Sequence, residues 1–443
     1  MSPPDGGPDP FALLRSRAYM KLLVLAALIG IPVSAVAYGF LELVAELQEL
    51  LFDDLPDALG FDAVPVWWPL PLLALAGLLV ALAITRLPGT AGHSPADGFK
   101  TGGPVPPVEL PGIILAALGT LAFGAVLGPE APLIAIGSGL GVLAVRLAAR
   151  DAPPQASVVI ATAGSFAAVS ALFGSPLLGA FLLLEAAGLG GPMLGVVLVP
   201  GLLASGIGSL IFLGLDDITG LGTFSLIVPG LPHPGPLTVA MFGWALAIGL
   251  VAPFIGRGIQ LLAVALRAGV EPRMVLLMPV LGVVIGGLAI GFSEATDHPA
   301  SDVLFSGQDQ LPGVVGNAAG WSVGALLLLM LCKALAYGIS LSSFRGGPVF
   351  PAMFIGAVGG VAAAELPGME LVPAVGMGIG AMCAVMLTLP LTSVLLATLL
   401  MGTDGLAALP VVIVAVVVAY VVTAHLTPPA PAGAAGAAGA RGR

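Results

Sequence analysis

The feature that most constrains this chain is the length of its uncharged stretches. Only 9% of its 443 residues are charged, whereas roughly a quarter are charged in ordinary globular proteins. A helix of about 20 apolar residues spans the hydrocarbon core of a bilayer. Most of the uncharged intervals approach or exceed that length: 22–41, 63–85, 110–129, 131–145, 152–184, 186–215, 218–256, 274–293, 310–332, 346–364, 371–403 and 405–440. We therefore predict an all-α polytopic membrane protein embedded in a lipid bilayer.

Glycine and proline are unusually frequent within these apolar stretches. The chain contains 63 Gly and 40 Pro, about twice average usage. Such residues break helices, and irregular backbone at membrane depth is tolerated only where it is buried in protein or lines a polar cavity. The composition thus favours a transporter or channel. Intervals of 30 or more residues are expected to hold two helices each, giving more than a dozen tilted or broken helical segments.

Composition also excludes several classes of function. The net charge is −10 and there is no basic patch, which disfavours nucleic-acid binding. Neither a metal nor another cofactor is predicted, because the histidines lack metal-ligand spacing. The cysteines lack a paired spacing and are expected to pack in the core. These residues are His93, His233, His298 and His425, with Cys332 and Cys383.

The ends of the chain differ from its middle. Residues 1–17 are predicted to be a disordered N-terminus and residues 428–443 a disordered low-complexity tail. Between them we predict one membrane domain made of two repeats, 18–228 and 229–427. The positive-inside rule places both termini in the cytoplasm of a protein of the cell membrane. The basic residues that carry this prediction are Arg15, Arg17, Lys21, Arg441 and Arg443.

A degenerate internal repeat relates the two halves. The pattern P-x-x-x-I-G beginning at Pro132 recurs 219 positions later at Pro351, and the Pro-Leu pair at Pro176 recurs 214 positions later at Pro390. A Gly-Pro turn precedes the first proline of each pair. Matching broken helices in two halves are typical of transporters with inverted-topology repeats whose site lies at the repeat interface.

Helices that begin inside the membrane can bind anions. The first four N–H groups lack intrahelical partners, and the helix dipole places about half a positive charge there. Glu130 lies two residues before Pro132, so its carboxylate is expected to occupy such an end and compete with an anion. Ionised, it would close the path, and protonated, it would open it. The alternative is that Glu130 only caps its own helix.

Three other charges lie in apolar surroundings and are functional candidates. Glu185 is expected to cap a helix or to meet water on the inner side, and it is a weaker candidate for a proton path. Lys333 and Arg345 are expected to snorkel or to form a salt bridge with a carboxylate.

With these residues in view, the chain resembles the chloride channel and chloride/proton antiporter (CLC) family over residues 18–426. Residues 128–132, GPEAP, resemble the family's G-[KR]-E-G-P motif with its gating glutamate. Residues 346–351, GGPVFP, are similar to G-G-x-F-x-P, and residues 102–106, GGPVP, fall where the family has G-S-G-I-P.

The resemblance implies a homodimer with one pore per subunit and anion passage gated by Glu130. It also implies anion binding by the N–H groups around Gly102, Gly103, Val105, Gly128, Ala131, Gly347, Val349 and Phe350. The anion is chloride or a similar ion, with fluoride and nitrate open, and protons are a regulator or a coupled substrate.

Several positions depart from the family pattern. Gly103 replaces the pore serine and therefore has no hydroxyl, and Val349 stands at the place of the pore phenylalanine. Pro348 lacks a backbone N–H, and Ala186 stands where antiporters have an inner glutamate. The pore tyrosine near the C-terminus has no evident counterpart.

Two other functions remain open at this point. A cation or organic-solute secondary transporter could use the same architecture if Glu130 or Glu185 bound a cation. An intramembrane serine protease would need Ser138 and His425 to act together and is the least supported reading, so an enzyme is not expected.

Overall fold

The computed structural model describes residues 15–100, 103–148, 153–188, 192–219, 227–228 and 230–427. Gly102, the low-complexity tail 428–443 and all but the last three residues of the segment 1–17 lie outside these described residues. Within them the structure is helical, and the one β-type pairing is an isolated bridge between Gly128 and Gly347. The all-α prediction is confirmed.

The first helix, α1, spans Arg17–Glu49 and continues through a π-helical turn, Leu50–Asp54, into Leu55–Ala58. The helices that follow are α2 Pro69–Arg86, α3 Leu110–Leu121, α4 Glu130–Ala148, α5 Pro154–Phe173, α6 Pro176–Ala187, α7 Pro192–Thr219, α8 Val239–Val270, α9 Met274–Thr296, α10 Leu311–Gly316, α11 Val323–Ser343, α12 Val349–Ala364, α13 Leu371–Leu387, α14 Pro390–Leu400 and α15 Gly405–Leu426.

Eight helical segments of the described residues are long and apolar enough to cross a membrane. Five further apolar helices are too short for that, namely Pro107–Leu121, Pro176–Ala187, Val349–Ala364, Leu371–Leu387 and Pro390–Leu400. The short helices confirm the prediction of broken membrane segments, and the chain is a multi-pass membrane protein.

Long uncharged intervals hold two helices where a proline can start the second one. Interval 152–184 contains α5 and the start of α6, and interval 371–403 contains α13 and α14. The same prediction is wrong for interval 186–215, where α7 continues through Pro200 as one helix. A proline inside a membrane helix is tolerated because neighbouring groups satisfy the freed carbonyl.

The internal repeat is visible in how the helices pack. A Cβ atom on Gly137 of α4 would contact the backbone carbonyl of Gly164 in α5, and one on Gly356 of α12 would contact that of Gly378 in α13. Gly356 lies 219 positions after Gly137, and Gly378 lies 214 positions after Gly164, the same two offsets as for the prolines of the repeat. Small residues allow this close backbone approach between membrane helices. The helix pairs α4–α5 and α12–α13 are therefore equivalent.

The core lies around α13, which is buried at every residue from Val372 to Leu387. A helix that is apolar on all sides is expected at the centre of a membrane bundle. Exposed leucine and valine side chains cover the outer helices, as a surface in contact with lipid requires.

Candidate functional site

Two Gly-Pro turns meet inside the protein, one from each repeat. The Gly128 N–H donates to the Gly347 carbonyl at 2.8 Å, and the Gly347 N–H donates to the Gly128 carbonyl at 2.6 Å. Helix α4 begins two residues after Gly128, and α12 begins two residues after Gly347. The N-termini of two broken helices are therefore held side by side.

The Glu130 side chain lies between these two helix ends and is fully buried. Its Oε1 accepts a hydrogen bond from the Phe350 N–H at 2.9 Å, whereas Oε2 has no hydrogen-bond partner among the described residues. A Cβ atom on either Gly128 or Gly347 would contact the Glu130 carboxylate. The carboxylate thus occupies a space at the N-terminus of α12, in the other repeat, that is open only because residues 128 and 347 are glycines. We call this space, bounded by Gly128, Gly347 and Phe350, the seat. The alternative that it only caps its own helix, α4, is wrong, because its Oε1 is bound at the N-terminus of α12.

Polar groups that the sequence analysis missed hold the two turns in place. The Tyr337 hydroxyl donates to the Pro348 carbonyl at 2.8 Å, and the Ser340 hydroxyl accepts from the Val126 N–H at 3.0 Å. The Thr120 hydroxyl accepts from the Arg345 N–H at 3.2 Å. Tyr337 and Ser340 are three residues apart on α11 and so share a helix face. Two polar residues at this spacing in an apolar helix are the sequence signal that could have identified them.

A cavity of about 1080 Å³ adjoins the seat. Ala131, Pro132 and Gly346 line its inner end, next to Glu130. Its wall near Val197 of α7 lies on the side of the protein where α1 begins, because the Tyr19 hydroxyl of α1 donates to the Gly195 carbonyl at 3.3 Å. The cavity also has charged walls, formed by Asp97, Lys100, Glu109, Arg267, Glu271 and Arg345. We call it the vestibule.

The two broken helices leave the seat in opposite directions. Helix α4 runs along the vestibule wall, where Ser138 lines the cavity. The Glu370 carboxylate in the loop after α12 accepts from the Gly235 N–H at 2.7 Å, just before the start of α8. The other end of α8, at Arg267, lines the vestibule, so α12 runs to the face opposite the vestibule. The topology of the two repeats is therefore inverted, as predicted.

The third predicted turn lies farther along the vestibule. The Val105 N–H donates to the Ser138 hydroxyl at 3.0 Å, and Ser138 is about 12 Å along the axis of α4 from Glu130. Gly103 lines the vestibule. The segment around Gly103 and Val105 thus lines the vestibule beside Ser138, and its part in anion binding stays a prediction.

Several predicted anion-contacting N–H groups already have partners. Those of Gly128 and Gly347 bond to each other's carbonyl, that of Val105 bonds to Ser138, and that of Phe350 bonds to Glu130. Ala131 lies in the first turn of α4, and Val349 is the first residue of α12, where helix N–H groups lack intrahelical partners. Gly102 lies outside the described residues.

Glu185 caps a second helix across the repeat boundary. Its Oε1 accepts from the Leu391 N–H at 2.9 Å, and its Oε2 accepts from the N–H and hydroxyl of Thr392 at 2.8 and 2.7 Å. The carboxylate is therefore fixed at the N-terminus of α14, which agrees with the expectation that Glu185 caps a helix.

Lys333 binds backbone carbonyl groups instead of a carboxylate. Its Nζ donates to the carbonyls of Asp302 and Leu304 at 3.0 and 2.7 Å and lies 4.3 Å from the centre of the Phe354 ring. Burial raises the pKa of the Asp302 carboxyl, and the charge of Lys333 acts in the opposite direction. Neither Lys333 nor Arg345 forms an ion pair with a carboxylate in the described part of the chain, so the predicted salt bridges are wrong there.

Ser138 and His425, which a serine protease would need to act together, each form a hydrogen bond with a different group. Ser138 accepts from Val105, and His425 Nδ1 lies 2.8 Å from the Val421 carbonyl of its own helix. No hydrogen bond joins the two side chains among the described residues, so the arrangement lacks an activated serine.

Comparisons with known proteins agree with this architecture. Residues 76–424 match the family model described as voltage gated chloride channel. YfeO of Escherichia fergusonii, a candidate ion-transport protein, is 32% identical over 386 residues, which cover 84% of each chain, and YfeO of Escherichia coli gives the same values.

Two solved structures share the fold. A slow cyanobacterial Cl⁻/H⁺ antiporter superposes with a TM-score of 0.73 at 20% identity, covering 91% of this chain and 94% of that one. A CLC-type fluoride/proton antiporter superposes with a TM-score of 0.71 at 19% identity, covering 91% and 95%. On the family match and the extent of the identity to YfeO, this chain belongs to the voltage gated chloride channel family.

Proposed function

We propose that this protein carries small inorganic anions across the membrane, through the vestibule and past Glu130, which acts as a proton-sensitive gate. The observation that carries the proposal is the Glu130 carboxylate itself. It is fully buried at the N-terminus of α12, with Oε1 bound to the Phe350 N–H and Oε2 without a partner among the described residues.

The gate works by competition for one seat. An ionised carboxylate is stabilised by the N–H groups and the positive dipole end of α12, as an inorganic anion would be. A protonated carboxyl loses most of this attraction and can leave, so that an anion takes its place. A cation or an organic solute is not favoured, because the seat presents N–H donors to its occupant.

The charge distribution supports a cytoplasmic vestibule. Arg17, Arg86, Lys100, Arg267 and Arg273 lie at helix ends or loops on the vestibule side. The loops on the other face, at 59–68, 297–322 and 365–370, contain no Lys or Arg. On the positive-inside rule we propose that the vestibule and both termini lie in the cytoplasm of a cell-membrane protein.

We propose that protons regulate the gate and are not exchanged for anions in a fixed ratio. The two solved neighbours are proton antiporters by description, but Ala186 replaces the inner glutamate that the family resemblance leads us to expect. The carboxylate of the adjacent Glu185 accepts three hydrogen bonds at the N-terminus of α14, which hold it in one position. Chloride, fluoride and nitrate are the anions to compare, since Gly103 supplies no hydroxyl that would select among them.

We also propose a homodimer, as the family resemblance implies. Leu177, Leu391 and Leu406 are strongly exposed on α6, α14 and α15, which gives a second copy an apolar surface to cover. Chemical cross-linking of the purified protein in detergent should produce a species of twice the monomer mass. A cross-linked product that stays monomeric under these conditions would contradict the dimer.

The decisive experiment measures anion flux in proteoliposomes as a function of pH. Wild-type flux should rise as the pH falls, because protonation empties the seat. Glu130→Gln should give a flux that is high and independent of pH. Glu294→Gln, which removes an exposed carboxylate on α9, is the matched control and should behave like the wild type. The proposal fails if the wild type passes none of the three anions at any pH.

A further inference from the structure

Arg345 is a buried cation that forms no ion pair with any described residue. Only 8% of it is exposed, and no carboxylate lies within ion-pair distance in the described part of the chain. A buried charge is costly unless it is paired and fully hydrogen-bonded. Here the guanidinium has only long bonds to backbone carbonyls: Nε to Thr90 at 3.4 Å and Nη1 to Ser343 and Phe344 at 3.3 Å. Nη2 has no hydrogen bond to another described residue.

The turn that receives this arginine has an uncommon backbone. Gly89, Thr90, Ala91 and Gly92 have φ angles of 77°, 50°, 56° and 86°. Two of these residues are not glycines, and the left-handed region costs such residues free energy that the surrounding structure must offset. The Thr90 carbonyl that accepts from Arg345 therefore comes from a turn held in an unfavourable conformation on the vestibule wall.

The other charges of the vestibule do not neutralise Arg345. The Arg267 guanidinium bonds to Asp97 at 2.7 Å and to Glu271 at 2.5 Å, so two of the three carboxylates are already paired with another cation. Lys100, His93 and the third carboxylate, that of Glu109, also line the cavity. Arg345 forms no ion pair with Glu109. The residue after Arg345, Gly346, lines the inner end of the vestibule and precedes Gly347 of the seat.

We infer that Arg345 binds a small inorganic anion in the vestibule, as a loading site before the Glu130 seat. The inference rests on the proposed anion transport and names a second ligand site for it. A guanidinium suits this task because it stays charged, is weakly hydrated and donates from a rigid plane. Its carbonyl bonds orient the plane, and the unbonded Nη2 leaves a donor for an ion in the cavity. The ion supplies the negative charge that no described carboxylate supplies within ion-pair distance of Arg345.

The competing explanation is that Arg345 only fastens the 89–92 turn. The two roles make different predictions for anion concentration. If Arg345 only stabilises the turn, its substitution changes the stability of the protein or the maximal anion flux. If Arg345 is a loading site, its substitution changes the anion concentration at which flux is half-maximal.

The test combines flux measurements with direct detection of a halide. Arg345→Gln should raise the half-saturating anion concentration about tenfold, which is the size expected when one charge-assisted contact is lost. Arg345→Lys should raise it less, because a cation is retained. Glu109→Gln should lower it, because a repelling carboxylate is removed. Arg86→Gln removes an exposed cation on the same side, outside the cavity, and should leave it unchanged.

Direct detection separates this inference from the proposed function. Crystals of the wild-type protein grown in bromide should show anomalous scattering beside the Arg345 guanidinium, and crystals of Arg345→Gln should not. If wild-type protein transports anions but bromide is absent from this position and Arg345→Gln keeps the wild-type half-saturation, the inference is overturned and the proposed function stands. If bromide binds there but no anion is transported, the proposed function is the part that fails.

Discussion

At the scale of single residues, the seat of Glu130 depends on the missing side chain of Gly347. A Cβ atom there would contact the Glu130 carboxylate and would lie 3.1 Å from the Ala131 nitrogen. The carboxylate is the mobile end of a flexible side chain and is the group that can move away. We therefore expect Gly347→Ala to displace it and to raise anion flux at high pH several-fold, towards the level of Glu130→Gln.

The double variant tests whether both changes act on the same seat. Gly347→Ala combined with Glu130→Gln should add little to Glu130→Gln alone, since coupled residues are non-additive. Gly287→Ala is the control, because a Cβ atom there meets nothing within 4 Å. A Gly347→Ala protein that remains closed at high pH in the proteoliposome assay would show that the methyl group does not empty the seat.

The same residues show how far sequence reasoning reaches. Glu130 could be singled out because a charge within a long apolar interval is visible in the sequence. Its partner, the Phe350 N–H, could not be predicted, because it is 220 positions away and the sequence does not distinguish one backbone N–H from another. For Arg345 the sequence predicts snorkelling or a salt bridge, because no periodicity distinguishes a backbone carbonyl partner from a carboxylate. Local patterns predicted the helix starts, and only the packing of the repeats pairs them.

At the scale of helices, the equivalent helices α6 and α14 have different N-terminal caps. Helix α6 is capped by its own Ser175, whose hydroxyl accepts from the Leu178 N–H at 3.2 Å. The equivalent position before α14, 214 residues later, is Leu389, whose side chain has no atom that can accept a hydrogen bond. The Glu185 carboxylate from α6 serves instead. A carboxylate from the first repeat thus occupies a helix end of the second repeat at both Glu130 and Glu185.

The two carboxylates should nevertheless respond differently to substitution. Glu130 is bound through one oxygen, whereas Glu185 accepts three hydrogen bonds. We expect Glu185→Gln to reduce the free energy of unfolding by about 1 kcal/mol, as loss of a good helix cap does, and to leave the pH dependence of flux unchanged. Thermal unfolding in detergent followed by tryptophan fluorescence, with exposed Glu365→Gln as control, measures the first effect. A pH dependence abolished by Glu185→Gln would place Glu185 in the gate.

At the scale of the whole molecule, the inverted repeats explain how so few charges can serve an anion pathway. Two helices that leave one point in opposite directions bring two positive dipole ends to the protein interior without a lysine or arginine at the seat. The vestibule approaches that point from the side of Arg17, since its charged walls and the basic helix ends lie there. The orientation of the molecule in the membrane therefore decides which compartment the vestibule faces.

Cysteine labelling can measure that orientation directly. The native Cys332 and Cys383 are 8% and 0% exposed, so a membrane-impermeant maleimide should label the wild-type protein weakly. Asp62→Cys places a thiol in the exposed loop between α1 and α2, and Arg86→Cys places one at the opposite end of α2. On intact cells or spheroplasts we expect Asp62→Cys to react and Arg86→Cys to react only after the membrane is opened. The reverse pattern would put the vestibule outside the cell, and anions would then load from the external medium.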